Sequence, residues 1–235
     1  MKVAILSDIH GNVYALEAML KVARKEKVEK LLILGDIVGY YYHPQKIIEL
    51  LSDWDHHLIK GNHEEILANI VSGKVQESEI RLKYGSGHRI ALEQLSTEQL
   101  QMLLNAPRQM LLEYNGTKIL ICHSSPWELD LYLYPDTKRE ILDKSEQFEA
   151  DLILVGHSHY PFIYKTSKNM LVNCGSIGQS RNSGGHASWA LFNTNNGVVQ
   201  LRSTPYNVDQ LLEEIEEHDP GMTYLRKVLL RTEDE

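Results

Sequence analysis

Five apolar runs in this chain stop on residues that can hold a cation or a proton. They end in Asp8-Ile9-His10, Gly35-Asp36, Gly61-Asn62-His63-Glu64, His123 and Gly156-His157-Ser158-His159. Short continuous apolar runs such as Leu31–Leu34 mark strands buried on both faces of a sheet. In open α/β sheets, ligand sites lie just beyond the C-terminal ends of such strands. One Gly-Asp junction is an ordinary turn or helix cap. Five junctions with two carboxylates, an amide and several imidazoles constrain the chain further. That many polar groups at one edge are costly to desolvate unless something pairs them.

The order of elements fits an α/β fold. Residues 2–7 read as a strand, and Asn12 to Lys27 as an amphipathic helix with Val13, Leu16, Met19, Leu20 and Ala23 on one face. Strands over Val28–Leu34 and Trp54–Ile59 flank a short helix from His43 or Pro44 to Leu51, giving β-α-β-α-β. From Glu64 to about Asn105 the pattern is helical, broken at Tyr84-Gly85-Ser86-Gly87-His88. This stretch is expected to be a helical insertion over one end of the sheet, acting as a lid or specificity element or simply packing on it. Asn115-Gly116 predicts a hairpin between Arg108–Tyr114 and Thr117–Cys122. A helix over Lys138–Glu149 and a strand over Asp151–Val155 follow. Hairpins are then expected from Phe162–Lys165 with Met170–Asn173 and from His186–Asn193 with Gly197–Ser203, and a helix over Asn207–Glu217. The charged tail after Pro220 is expected to be loosely held.

Composition narrows the function. A net charge of −8 with scattered Lys and Arg argues against broad contact with a nucleic-acid backbone, so no stable nucleic-acid complex is expected. No apolar run approaches the roughly 20 residues that span a bilayer, and Asp8 and His10 interrupt what would be a signal peptide. A cytoplasmic protein with no membrane association is expected. Cys122 and Cys174 have no disulfide or zinc-knuckle spacing and read as buried thiols.

Mixed Asp, Asn and His donors favour Mn²⁺, Fe²⁺, Zn²⁺ or Ni²⁺ over Ca²⁺. Seven donors are too many for one tetrahedral ion but suit two metals sharing a carboxylate, about 3.5–4 Å apart in the usual water-activating arrangement. Residues i and i+2 of an extended segment point the same way, so Asp8 with His10, and His157 with His159, are each expected to share a target. Arg181, in the Gly/Ser loop after Asn173-Cys174-Gly175-Ser176, is either a ligand for a second phosphate or leaving group, or a solvated loop arginine. Tyr40, Tyr41, Tyr42 and His43, and likewise Trp127, Tyr132 and Tyr134, either stack on a base or ring or pack in the fold. His56, His57, His88, His186 and His218 have no motif context and read as structural.

Through Asp8-Ile-His10, Gly35-Asp36-Ile-Val-Gly39, Gly61-Asn62-His63-Glu64, Cys122-His123 and Gly156-His157-Ser-His159, the chain resembles the calcineurin-like metallophosphoesterases. Gly35–Tyr40, His123–Pro126 and Asn173–Gln179 resemble signatures of the small single-domain prokaryotic branch, the diadenosine tetraphosphatase- and phosphodiesterase-like enzymes. The resemblance implies a four-layer αββα sandwich of two mixed β-sheets flanked by helices. It spans residues 1–235 as one domain, with the lid-like insertion at about 64–105. It implies two divalent metal ions, Mn²⁺ first and Fe, Zn or Ni as alternatives. Asp8, His10 and His159 would hold one ion, Asn62, His123 and His157 the other, and Asp36 would bridge them. A hydroxide between the metals would attack phosphorus. His63, with Asn62 and Arg181 among the substrate-binding residues, would steady the phosphoryl oxygens and protonate the leaving alkoxide.

The implied partner is a small phosphorylated, nucleotide-type substrate such as a dinucleoside polyphosphate, and a homo-oligomer is compatible with the sequence. A Ser/Thr phosphatase-like phosphomonoesterase and a non-catalytic scaffold of the same fold are the alternatives. One position departs from the protein phosphatases of the superfamily. Where they carry an Asp that pairs with the catalytic histidine, three residues after the bridging Asp, this chain has Gly39. Glu64 is expected to cap the helix that follows it.

Overall fold

Alternate residues of the first strand, β1 (Lys2–Leu6), serve different layers of the core. Val3 and Ile5 pack with one apolar cluster, Ala4 and Leu6 with another. The computed structural model describes residues 1–232. In it β1 lies parallel to β2 (Lys30–Ile33), which lies parallel to β3 (His56–Leu58). On the other side of β1 comes antiparallel β9 (His186–Asn193), with β10 (Val198–Pro205) at the edge, giving the order β10-β9-β1-β2-β3. The second sheet runs β4-β5-β6-β8-β7. It is built from β4 (Gln109–Tyr114), β5 (Thr117–Cys122), β6 (Leu152–Val155), β7 (Phe162–Lys165) and β8 (Met170–Asn173).

The layers follow from these alternations. Val3, Ile5, Leu32 and Leu34 of the first sheet meet Ile119, Ile121, Leu154 and Val172 of the second in one cluster. On the outer face of the first sheet, Ala4, Leu6, Leu31 and Ile33 pack against α1 (Val13–Lys25) and α2 (Pro44–Ser52) through Leu16, Met19, Ile47 and Leu51. Leu120, Ile153 and Leu171 cover the outer face of the second sheet with Leu142 and Phe162. Each fully buried Leu or Ile here contributes about 1.5–3 kcal/mol. Local signals agree with the placement. The Asn12 side chain accepts from the Ala15 backbone N–H at 3.1 Å to start α1. Asn115 and Gly116 take φ of 50° and 80°, as a two-residue hairpin with primed-turn geometry requires.

The helical stretch is four helices: α3 (Asn62–Val71), α4 (Glu77–Tyr84), α5 (Gly87–Gln94) and α6 (Thr97–Asn105). α6 starts in a reciprocal cap, the Gln99 N–H donating to Ser96 Oγ and the Ser96 N–H to Gln99 Oε1.

Two expectations fail. The helix over 138–149 is only a turn, α7 (Arg139–Leu142), followed by a 3₁₀ segment at Asp143–Gln147. Ser145 is buried and tied to Asn169, whose Nδ2 donates to the Ser145 carbonyl at 2.8 Å. That carbonyl also accepts from the Phe148 N–H three residues on, the tighter 3₁₀ bond. The tail after Pro220 is not loose where it is described. Beyond α8 (Asp209–His218), α9 (Thr223–Leu229) buries Leu225, Val228 and Leu229, and Leu225 and Leu229 pack among Tyr40, Tyr41 and Tyr42. No helix among the described residues is long and apolar enough to cross a membrane.

Candidate metal centre

The loops after β1, β2, β3, β5 and β6 meet at one end of the sandwich, and backbone bonds hold them side by side. The Asp8 N–H donates to the Gly35 carbonyl (3.1 Å), His10 N–H to the Asp36 carbonyl (2.9 Å), and Gly156 N–H to the His123 carbonyl (2.8 Å). Side chains join the loops further: the His157 N–H donates to Asp8 Oδ2 at 3.0 Å and the His63 N–H to Asp36 Oδ1 at 2.8 Å. Asp8, His10, Asp36, His157 and His159 take φ of 56°, 52°, 55°, 64° and 65°. A non-glycine residue pays roughly 1–3 kcal/mol for such a conformation and keeps it only where its surroundings impose it. These residues are therefore not in extended strands, and the i, i+2 expectation fails for His157 and His159, whose rings go to different neighbours.

The side chains form two lobes. In one, Asp8 Oδ1 lies 3.1 Å from His159 Nε2 and 3.7 Å from His10 Nε2, and the two Nε2 atoms are 3.2 Å apart. In the other, Asn62 Oδ1 lies 2.9 Å from both His123 Nε2 and His157 Nδ1. Asp36 Oδ2 stands between them, 3.2 Å from His123 Nε2 and 3.8 Å from His10 Nε2. The outward nitrogens fix the tautomers. His10, His123 and His159 use Nδ1 to donate to the carbonyls of Val38, Leu34 and Gln179, whereas His157 donates from Nε2 to the Asp130 carbonyl. In a neutral imidazole, the other nitrogen is then a lone pair aimed inward. His10 and His159 thus face each other lone pair to lone pair, beside a buried Asp8 Oδ1 that accepts no hydrogen bond. Two imidazole nitrogens and a carboxylate oxygen turned toward one point fit a divalent cation.

The local field has the same cause. Burial raises the Asp8 carboxyl, but His159 and His123 outweigh it and hold it well below the usual carboxylate range. Burial pulls His10 down to about 4, against Asp36. Burial also disfavours charge on His123, yet Asp36 and Asp8 push it up to about 10.

His63 stands beside these lobes. Its ring is 3% exposed and its Nδ1 has no partner. A Cβ on Gly39 (φ +90°) would fall 2.1 Å from that Nδ1, so the ring fills the space a side chain at 39 would need. The ring packs edge-on to His10 at 4.8 Å and to Tyr84 at 4.9 Å, and nearly parallel to His88 at 5.1 Å and 13°. His88 is therefore not remote from the site. Its sequence context held only a helix break, and nothing in the motifs marked it. Glu64 does more than cap α3. It accepts from the Gly61, Asp36, Ile37 and Val38 N–H groups and so holds the Asp36 loop in place. Burial and Asp36 push its carboxyl up to about 7 against those donors.

The remaining candidates divide. Arg181 is half-buried, its Nε has no partner among the described residues, and it lies near the phenols of Tyr224, Tyr40 and Tyr132. Tyr132 lies 4.0 Å from the His157 ring and is 43% exposed, while Tyr134 stacks on Tyr132. Tyr40 packs on His10 and His63. Tyr41, Tyr42 and Trp127 belong to apolar clusters. His43 bonds Glu214 at 2.9 Å, and His56, His186 and His218 have partners or packing away from the centre. A cleft of about 190 Å³ opens beside Asn62 and His123, with Lys60, Arg108, Ser125 and Asp130 in its walls. Both cysteines are buried and free.

A sequence model of the calcineurin-like phosphoesterase superfamily domain matches residues 1–197. The chain is 30% identical over 239 residues to uncharacterized protein MJ0912 of Methanocaldococcus jannaschii, covering 91% of each. Among solved structures, hypothetical protein PH1004 of Pyrococcus horikoshii superposes with a TM-score of 0.84 at 22% identity over 98% of both chains. A metallophosphoesterase from Sphaerobacter thermophilus superposes with a TM-score of 0.78 at 25% identity, over 96% of this chain and 98% of that one.

Proposed function

This chain belongs to the calcineurin-like phosphoesterase superfamily and is a metal-dependent phosphoesterase, and from that premise we propose that it cleaves a small nucleotide-type phosphate ester. In this reading Asp8, His10 and His159 hold one divalent cation and Asn62, His123 and His157 a second, with Asp36 shared. Mn²⁺ is the leading candidate for both. The observation that supports it is the pair of His10 and His159 Nε2 atoms, 3.2 Å apart, with both Nδ1 atoms committed to carbonyls. When bound, such ions supply an activated water and neutralise charge on the phosphoryl oxygens.

The chain's own groups supply the rest. His63 and Asn62 steady the phosphoryl group, and His63 delivers a proton to the departing alkoxide, a contribution of about 10²–10⁴-fold. Arg181, whose Nε has no partner among the described residues, takes a second phosphate, with the neighbouring tyrosines offering a face to a base. The chain acts as one domain over residues 1–235, with α3–α6 as its lid-like insertion and free buried thiols that suit the cytoplasm. The substrate preference rests on an acidic chain, at −8, whose Lys and Arg are scattered along the sequence.

Metal analysis of purified protein tests the centre: about two Mn²⁺ per chain are expected, and fewer than one after Asp36→Asn, with aryl phosphate turnover lost in parallel. Saturating Mn²⁺ at about 100 Kd raises stability by about 2.7 kcal/mol, read as a higher Tm. Full turnover in the metal-free protein, or in Asp36→Asn, refutes the assignment. A panel of nucleotides, dinucleoside polyphosphates, cyclic diesters and phosphopeptides tests the substrate class, and a preference for phosphopeptides overturns it.

A further inference from the structure

Among the described residues, no group makes a hydrogen bond to the His63 ring. Its Nδ1 is unpartnered, and the residue beside that atom is Gly39, which has no side chain to offer. What contacts the ring is aromatic: His10, Tyr40, Tyr84 and His88. Of these, only His88 lies nearly parallel to the imidazole, at 13°, and so can resist tilting of the ring out of its plane.

The helix carrying His88 is fastened at that point. A Cβ on Gly87 would meet the backbone of Gly39 and Tyr40 at 2.6–2.8 Å, so the start of α5 is pressed onto the loop that follows Asp36. Ser86, just ahead of it, donates its N–H to Asp219 Oδ2 and its hydroxyl to Asp219 Oδ1, both at 2.8 Å. Asp219 Oδ2 also accepts from the Tyr42 hydroxyl at 3.0 Å. The carboxylate at the end of α8 thus locks α5 to the segment that carries Gly39.

His88 itself is 1% exposed, its ring nitrogens make no well-formed hydrogen bond among the described residues, and the polar group beside the ring is the His63 backbone. A buried imidazole without hydrogen bonds is a net cost to the fold. What the ring offers the site is its face, set nearly parallel to that of His63.

We propose that His88, anchored through Ser86 and Asp219, is the positioning residue of His63, holding its ring in line with the leaving group by stacking instead of by a hydrogen bond. The inference rests on the reading of His63 as the proton donor. It requires an aromatic face at position 88 and does not require the nitrogens. Phenylalanine keeps the face and removes two unsatisfied buried atoms, so His88→Phe retains the function and gains thermal stability.

The test compares an alkyl phosphate ester with an activated aryl ester of equal charge. Removal of the stack misplaces a proton donor, which costs about 10–100-fold in kcat where the leaving group needs the proton. His88→Ala is expected to lose that much on the alkyl ester and less than about 3-fold on the aryl ester, with KM and bound metal unchanged. His88→Phe is expected to restore the alkyl ester rate. In the metal-free protein, the His63 imidazole resonances should be sharp in the wild type and His88→Phe and broadened in His88→Ala.

Equal loss on both esters in His88→Ala with metal retained overturns the inference, and so does a His88→Phe variant no better than His88→Ala. His63→Ala serves as the control. If it fails to separate the two esters, the proton-donor reading falls and takes this one with it. If it separates them and His88→Ala does not, the positioning role alone is refuted.

Discussion

Replacing Gly39 by alanine perturbs His63 without touching any expected ligand. The backbone there sits at φ +90°, a conformation L-residues rarely adopt. A side chain held in a left-handed conformation costs about 1–2 kcal/mol. The added Cβ would stand 2.1 Å from His63 Nδ1, where ordinary contact begins near 3.4 Å, so something must give by more than an ångström. The Asp36 loop cannot easily yield, because Glu64 accepts three of its N–H groups. The His63 ring is left to move. A misplacement of about 1 Å costs on the order of 10²-fold in rate. Gly39→Ala is therefore expected to lose about 10²-fold in kcat on an alkyl phosphate ester, keep its two metals, and lose about 2–8 °C in Tm for a chain of this size. Steady-state kinetics, metal analysis and a thermal melt check the three parts. Gly39→Asp, which restores the residue found in related protein phosphatases, is expected to be no better than alanine. Wild-type turnover of the alkyl ester by either variant would refute the reasoning, because it would mean the space beside Nδ1 is not needed.

Two further outcomes follow from other contacts. Arg181→Ala is expected to raise KM about tenfold or more for substrates with two phosphates and little for those with one, as loss of a charge-assisted hydrogen bond of about 1.5–3 kcal/mol requires. Equal KM changes for the two classes would return Arg181 to the solvated loop. Burial pushes the Glu214 carboxyl up, but hydrogen bonds from His43 and Tyr14 outweigh it and hold it below its ordinary 4.5. A depressed carboxyl stabilises fully above about 4.5 and loses its contribution as pH falls through its folded value. Glu214→Gln should therefore flatten the Tm-against-pH curve on the acid side and leave the kinetics at pH 7 alone.

Strand ends were legible because a doubly covered strand must be apolar throughout, so its first polar residue marks where the chain leaves the core. That rule located Asp36, His123 and His157 without coordinates, and Asp8 one residue past Ser7. The hairpin at Asn115-Gly116 was legible for a similar reason, since few dipeptides tolerate two positive φ angles. The backbone at the centre was not legible. Left-handed conformations at Asp8, His10 and His159 are imposed by the neighbouring loops and carry no compositional sign. His88 was hidden because its relation to His63 depends on how α5 lies across Gly39 and Tyr40. α9 was hidden because Leu225, Val228 and Leu229 are scattered among charges, and the tyrosines that Leu225 and Leu229 meet lie far back in the chain. The 138–149 stretch misled because Asn169, distant in sequence, claims the Ser145 carbonyl.

The place of β9 beside β1 bears on how such a protein is made. The first strand to leave the ribosome has one neighbour, β2, available early, but its other partner is not translated until residues 186–193. The loop carrying Asp8 waits as well, because its carbonyl is bonded by the Ser176 hydroxyl and the Gly178 N–H. A nascent chain stalled just short of Ser176 already carries all seven candidate donors but lacks the groups that fix the Asp8 carbonyl. If the proposed centre holds metal, a chain that ends before β9 is expected to bind it more weakly than the full chain, because the partners of β1 and of the Asp8 carbonyl are then missing.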